Sequence, residues 1–182
     1  MREYKVHTIE SAPEKSKLAL QGLRQNVGLV PNLAATMAES PTLVNGFVGA
    51  FGNFHSGTFS GAEKQTLLLT NAVVNRSPWA VAFHSTMALK EGVAPTAVQA
   101  IRSGRLPDDN KLAALSSYTK ALIEQRGHVS DSELQQFKAA GYTPAQAFEV
   151  IAGLAVSTMA NYAGNIANPP LEAPFAPQAW HA

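Results

Sequence analysis

Ser77 and His84 are the two residues of this chain whose types and spacing could do chemistry together. In Ser77-Pro78-Trp79-Ala80-Val81-Ala82-Phe83-His84, a serine precedes a proline, the order of an N-cap and a first helical residue. On the helix that this opens, Ser77, Ala80 or Val81, and His84 share a face, because residues three, four and seven apart line up. The partial positive charge at a helix N-terminus lowers the pKa of a nucleophile, and an imidazole two turns in can take its proton. Ser77 is more simply explained as an N-cap, and a histidine on an apolar face can be a hydrogen-bonded core residue.

The preceding helix must position this one. Ser60 and Glu63 have the spacing of a capping box, in which each side chain satisfies an N–H of the first turn. Leu67, Leu68, Leu69, Ala72 and Val73 then make the helix apolar almost all round, the pattern of a buried helix. Asn75 and Arg76 end it, and Gly92 ends the helix of His84. Glu63 is accounted for by its cap, with a catalytic role as the other reading. Gln65 is polar on an apolar helix and either bonds a helix end or lines a pocket. Trp79 reads as a pocket wall or an interface anchor. His55 closes an earlier helix and could reach the same pocket. No spacing supports a zinc site from His55, His84 and Glu63. No metal and no cofactor is expected.

The stretch resembles the carboxymuconolactone decarboxylase and alkylhydroperoxidase D superfamily. Its redox branch carries Cys-Pro-(aromatic)-Cys and a histidine four residues after the second cysteine. Here Pro78, Trp79 and His84 keep that frame, while Ser77 and Ala80 stand at the cysteine positions. The family's relay glutamate falls twelve residues before the first cysteine, which is Gln65 here. Val27-Gly28-Leu29-Val30-Pro31-Asn32-Leu33 and Ser40-Pro41 resemble the opening of peroxidase-related members, and Asn161-Tyr162-Ala163-Gly164-Asn165-Ile166-Ala167 their last helix. The resemblance implies an all-α, multi-helix alkylhydroperoxidase D-like bundle that assembles as a trimer or hexamer, with a dimer second. It also implies peroxidase or decarboxylase activity.

The remaining chain suits an all-α domain over residues 1–182, with an extended arm at 1–10 and a Pro-rich arm at 169–182. Ser11-Ala12-Pro13-Glu14 reads as a capping box before a helix bearing Leu18, Leu20, Leu23 and Val27. A short helix is expected from Pro31 to Glu39. Ser40-Pro41 opens a helix with Val44, Phe47 and Phe51, in which Gly46, Gly49 and Gly52 suggest a closely packed neighbour. Further starts lie at Pro95, Leu106-Pro107-Asp108-Asp109, Ser130 and Thr143, the second with its acidic residues in the first turn. The last long helix presents Phe148, Ile151, Ala152, Ala155, Met159 and Tyr162 as its expected packing face. Ser60–Gly92 and Ser130–Asn168 are loosely alike, which hints at duplication. Four prolines between Pro169 and Pro177 favour an extended tail.

Composition narrows the function. Cysteine is absent, which leaves no sulfur for thiol peroxidase chemistry. Net charge is +1 without a Lys/Arg run, so nucleic acid and anionic membrane are poor partners. No leader segment and no apolar run near ~18 residues is visible, so a cytoplasmic protein is expected. Charged residues are 15% against a usual quarter, which points to surface covered by other copies of the chain. Three functions stay open. The first is binding of a small organic molecule near His84, with Trp79, Ala80 and His55 as the pocket. The second is a decarboxylase or lyase with His84 as acid/base and Ser77, Glu63 or Gln65 assisting. The third is a non-catalytic structural or interaction protein.

Overall fold

Serine, threonine and proline set where the helices begin. The computed structural model describes residues 4–181; residues 1–3 of the expected N-terminal arm and residue 182 lie outside it. A 3₁₀ turn at Glu14–Ser16 leads into α1, Lys17–Val27. There follow α2 (Asn32–Met37), α3 (Pro41–His55), α4 (Gly61–Val74), α5 (Pro78–Lys90) and α6 (Pro95–Arg102). Then come α7 (Asn110–Glu124), α8 (Asp131–Ala139), α9 (Pro144–Ala167) and a 3₁₀ segment, Ala173–Gln178. Among the described residues there is no strand.

The caps are those the residue types dictate. Ser60 and Glu63 form the expected box on α4, as do Ser130 and Glu133 on α8 and Thr143 and Gln146 on α9. Such a cap is worth about 1 kcal/mol. At the end of α5, Gly92 (φ 81°) takes the left-handed conformation, and Val93 N–H reaches back to the Ala88 carbonyl, closing the helix in a Schellman turn.

α4 lies at the centre, packed along α5 and α7 and crossed by α6 and α9. Leu67, Leu68 and Leu69 are all buried on it, so its nearly all-apolar composition is answered on every side. Hydroxyls join α4 to α7, Thr70 Oγ1 lying 2.8 Å from Ser116 Oγ. α8 packs on α7, in contrast to the α4–α5 hairpin. The two segments that hinted at duplication therefore have different neighbours.

Several expectations fail for identifiable reasons. Ser11 and Glu14 form no box; Thr8 and Ser11 do it one turn earlier, each hydroxyl taking the other's N–H. That turn is fixed by His7, which lies 2.8 Å from Glu39 and donates 3.0 Å to the Ser11 carbonyl. Leu18 is 80% exposed, so the apolar face of α1 is Ala19, Leu20 and Leu23. Gly46, Gly49 and Gly52 have open space where a Cβ would stand, so among the described residues no helix packs against them. Phe47, Phe54 and Phe59 are buried and Phe51 is partly so.

The reversal at α9 is the largest. Phe148, Ile151, Tyr162 and Ile166 point outward, while Ala147, Val150, Gly153, Ser157, Ala160 and Gly164 face the core. A Cβ at Gly153 would come within 2.8 Å of both Leu67 and Phe54. Small residues let α9 approach α3 and α4 closely, and that proximity outweighs the greater hydrophobicity of the opposite face.

The Pro-rich tail is also folded onto its own chain. Glu172 accepts from the Asn32 N–H (2.6 Å) and from the Trp79 indole (2.9 Å), tying the tail to the starts of α2 and α5. Its 3₁₀ segment carries Phe175 edge-on against Trp79 and Phe83. Arg102 donates to the Gln178 and Ala179 carbonyls, and Trp180 returns a bond to Arg102 O. Four prolines exclude an α-helix but leave a 3₁₀ turn open. No described helix is long and apolar enough to cross a membrane.

Candidate functional site

The helix start at Ser77-Pro78 sets the geometry. Pro78 occupies the first helical position and Ser77 the N-cap position. The Ser77 hydroxyl makes no capping bond, however; it is fully buried and without a partner among the described residues. The N-cap account of Ser77 thus holds for its backbone alone. It faces Gly164 on α9, where a Cβ would meet its oxygen at 3.5 Å. It lines neither of the two cavities that His84 borders.

Ala80 and His84 follow on the same face of α5, and both line an apolar recess of about 50 Å³. Its walls come from α1 (Leu23, Val27), α3 (Phe47, Phe51), α5 (Trp79, Phe83) and α9 (Val156, Ser157, Ala160). Trp79 stacks on Phe83 at 5.1 Å, an aromatic wall fixed from behind by Phe175 and Glu172. The recess borders an outer cleft of about 470 Å³, lined by Asn26, Val27, Phe51, Gly52, His55, Gln65, Leu68, Phe83, His84, Met87 and Glu91. Val27, Phe51, Leu68, Phe83 and His84 belong to both, so His84 stands in the wall that the two share.

The histidine is oriented by α4. His84 Nδ1 donates to Gln65 Oε1 at 3.0 Å, which leaves Nε2 as the lone-pair nitrogen. Burial lowers the His84 pKa to about 3, with the nearby His55 adding to the effect, so the ring is neutral at physiological pH. His55 stacks on Phe51 at 3.9 Å and donates from Nδ1 to the Phe51 carbonyl at 3.1 Å. Its pKa is also lowered, chiefly by burial.

Glu63 is not part of this site. Its Oε2 caps Ser60 N–H at 2.8 Å, and Lys111 Nζ lies 2.8 Å from Oε1, a charge contact though not an aligned hydrogen bond. Burial alone would raise this carboxyl, but the Lys111 ammonium and the bonds at Ser60 outweigh it and hold its pKa below the ordinary value. Tyr142 lies against the pair, its hydroxyl donating to the Lys111 carbonyl at 3.2 Å; burial and the Glu63 charge push its pKa up. The arrangement joins α4 to α7. Of the two polar residues at the start of α4, Gln65 therefore faces His84. Among the described residues no group of three or more histidine and acidic side chains could hold a metal.

Of the expected residues, the structure brings together His84, Gln65, Trp79, Ala80 and His55. Met87 and Glu91 were missed, although they continue the spacing of Ser77, Ala80 and His84 in steps of three and four. Phe47, Phe51 and the α1 and α9 walls carry no such local signal.

No protein-family model and no curated protein matches the sequence. Solved structures do match, at low identity. An alkylhydroperoxidase AhpD core, a peroxidase-related protein from Ralstonia eutropha JMP134, gives a TM-score of 0.82 over 94% of this chain and 93% of its own, with 15% identity. A peroxidase-related protein from Silicibacter sp. TM1040 gives 0.78 over 97% and 93%, with 11% identity. The debrominase Bmp8, solved as a Cys-to-Ala variant in complex with 2,3,4-tribromopyrrole, gives 0.74 over 91% and 89%, with 18% identity. The chain thus has the helical alkylhydroperoxidase D-like fold, and it has that fold without a single cysteine.

Proposed function

We propose that this chain is an alkylhydroperoxidase D-like protein without thiol peroxidase chemistry that binds a small, mostly apolar organic molecule beside His84. The observation that carries the reading is the paired cavity, an apolar recess at Ala80 that shares His84 with a cleft of ligand size. Side chains do not fill this space, which argues against a purely structural role. The acid/base reading is weaker. A general acid or base works best with a pKa near the working pH, and burial moves His84 far below it. The debrominase neighbour holds a brominated pyrrole in a Cys-to-Ala variant, which supports ligand binding by this framework with an alanine in place of a cysteine.

The test is titration of the purified protein with para-bromophenol, followed by calorimetry and by nitrogen-15 shifts of the imidazoles. A saturable shift at His84, weakened by Ala80→Val, which takes up part of the recess, is the expected result. No saturable response up to about 1 mM, the weak end of specific affinity, would refute the reading.

We also propose that the protein self-associates through the outer faces of α9 and α3, in keeping with the expected trimer or hexamer. Phe148, Tyr162 and Ile166 are 75%, 57% and 68% exposed. α9 has one charged residue, Glu149, which is bonded to Thr58; α3 has no Asp, Glu, Lys or Arg.

A further inference from the structure

The polar groups of the outer cleft have a bias that the apolar walls do not reveal. Two imidazoles line it, and in each the Nδ1–H is already spent inside the chain, on Gln65 Oε1 for His84 and on the Phe51 carbonyl for His55. The ring nitrogen left for a ligand is in both cases Nε2, a lone pair. The third group is the carboxylate of Glu91. Gly61 gives that carboxylate its place: a Cβ there would collide with it, so it rests against the first turn of α4, where negative charge is favoured. Lys64, the nearby cation, has its Nζ engaged with the His55 carbonyl at 2.7 Å. Donors in the lining are the amides of Asn26 and Gln65. Beside these amides, which both donate and accept, the site therefore offers three groups that only accept, one of them negative.

We propose that the cleft selects neutral molecules that donate a hydrogen bond, of the phenol O–H or pyrrole N–H kind, and rejects carboxylates and other anions. This rests on the ligand-binding reading and gives it a chemical class. The aromatic part of such a molecule would lie between Phe51 and Phe83, with its donor on His84 Nε2 or His55 Nε2. An acceptor-only or anionic ligand would leave both lone pairs unpaired and face Glu91, and unpaired buried polar groups are what make such sites discriminate.

The experiment compares three probes of like shape on the wild-type protein. These are para-bromophenol, para-fluorobromobenzene, in which fluorine replaces the hydroxyl, and para-bromobenzoate. The phenol is expected to bind about tenfold tighter or more than its fluoro isostere, and the benzoate not to compete with it. Equal binding of phenol and isostere, or tighter binding of the benzoate, overturns the inference while leaving ligand binding intact. Absence of binding by all three overturns the binding reading and this inference with it. The tautomers supply a second check on the free protein. Long-range proton–nitrogen spectra should show the Nδ1–H form for both His55 and His84; the Nε2–H form in both would overturn the proposal without any variant.

Discussion

His84 is neutral because its surroundings offer it one acceptor and little water, and this makes it a stability element as well as a ligand contact. Its folded pKa is depressed from 6.5 to about 3, so below pH 6.5 the unfolded chain binds a proton that the folded chain refuses. Stability must therefore fall as pH drops from about 6.5, by at most about 1.4 kcal/mol per unit for this residue. His55 shifts in the same direction, and Glu63, lowered from 4.5, adds its loss below that value. Between pH 6.5 and 4.5 the histidines dominate. His84→Gln, which keeps a polar group for Gln65, should flatten this part of the profile; chemical denaturation at pH 7 and pH 5 measures it, and an unchanged difference would count against the assignment. A second prediction concerns the two positions that lack sulfur. Ser77 and Ala80 are both buried at the opening of α5, one at the N-cap and one in the first turn. Ser77→Cys with Ala80→Cys should form an internal disulfide under mild oxidant, since Pro78 holds the first turn in helical geometry. Two thiols that remain open to alkylation after oxidation would refute that geometry.

Two glycines on neighbouring helices should respond oppositely to the same substitution. Gly153 on α9 has Leu67 and Phe54 where a methyl would go, so Gly153→Ala should cost about 1–3 kcal/mol by overpacking. Gly49 on α3 meets nothing within its own chain, so Gly49→Ala in the dissociated Phe148→Asp, Tyr162→Asp background should be neutral or stabilise the helix by about 0.5–1 kcal/mol. Urea denaturation of the two variants decides, and a cost at Gly49 would show that something covers it. These glycines also mark what the sequence makes legible. Starts and stops of helices are local chemistry, and Ser60, Glu63, Pro78 and Gly92 could be read directly. The face that α9 buries is not local. Both faces are apolar, and the choice falls to the one with small side chains because α3 and α4 can come closer to it. The same holds at the site. The frame of Pro78, Trp79 and His84 was legible in spacing, and the choice of Gln65 over Glu63 was not, because Lys111, more than forty residues on, takes Glu63 away. The tail was misread for a like reason: Phe175 and Glu172 have meaning only beside Trp79.

At the scale of the whole molecule, α9 and α3 together leave a surface that the described residues do not cover. The two helices pack against each other, with Leu43 and Ile166 lining one groove near one end and Thr58 bonded to Glu149 near the other, so they run antiparallel. On their outer side α9 offers a ridge of Phe148, Tyr162 and Ile166, and α3 offers the open glycines Gly46, Gly49 and Gly52. A ridge of large side chains and a strip without side chains can satisfy each other across a pair of copies. The tail, bound to its own Trp79, Phe83 and Arg102, leaves this face free. The expected outcome is a multimer by size-exclusion chromatography with light scattering, reduced to a folded monomer by Phe148→Asp with Tyr162→Asp. Both side chains are exposed, so their replacement should leave the helical circular dichroism of the chain unchanged while the mass falls. Removing residues from Pro169 onward should instead lower thermal stability, since it uncovers Trp79 and Phe83. A wild-type monomer at micromolar concentration would refute the interface, and a double variant of unchanged mass would place the contact elsewhere on the molecule.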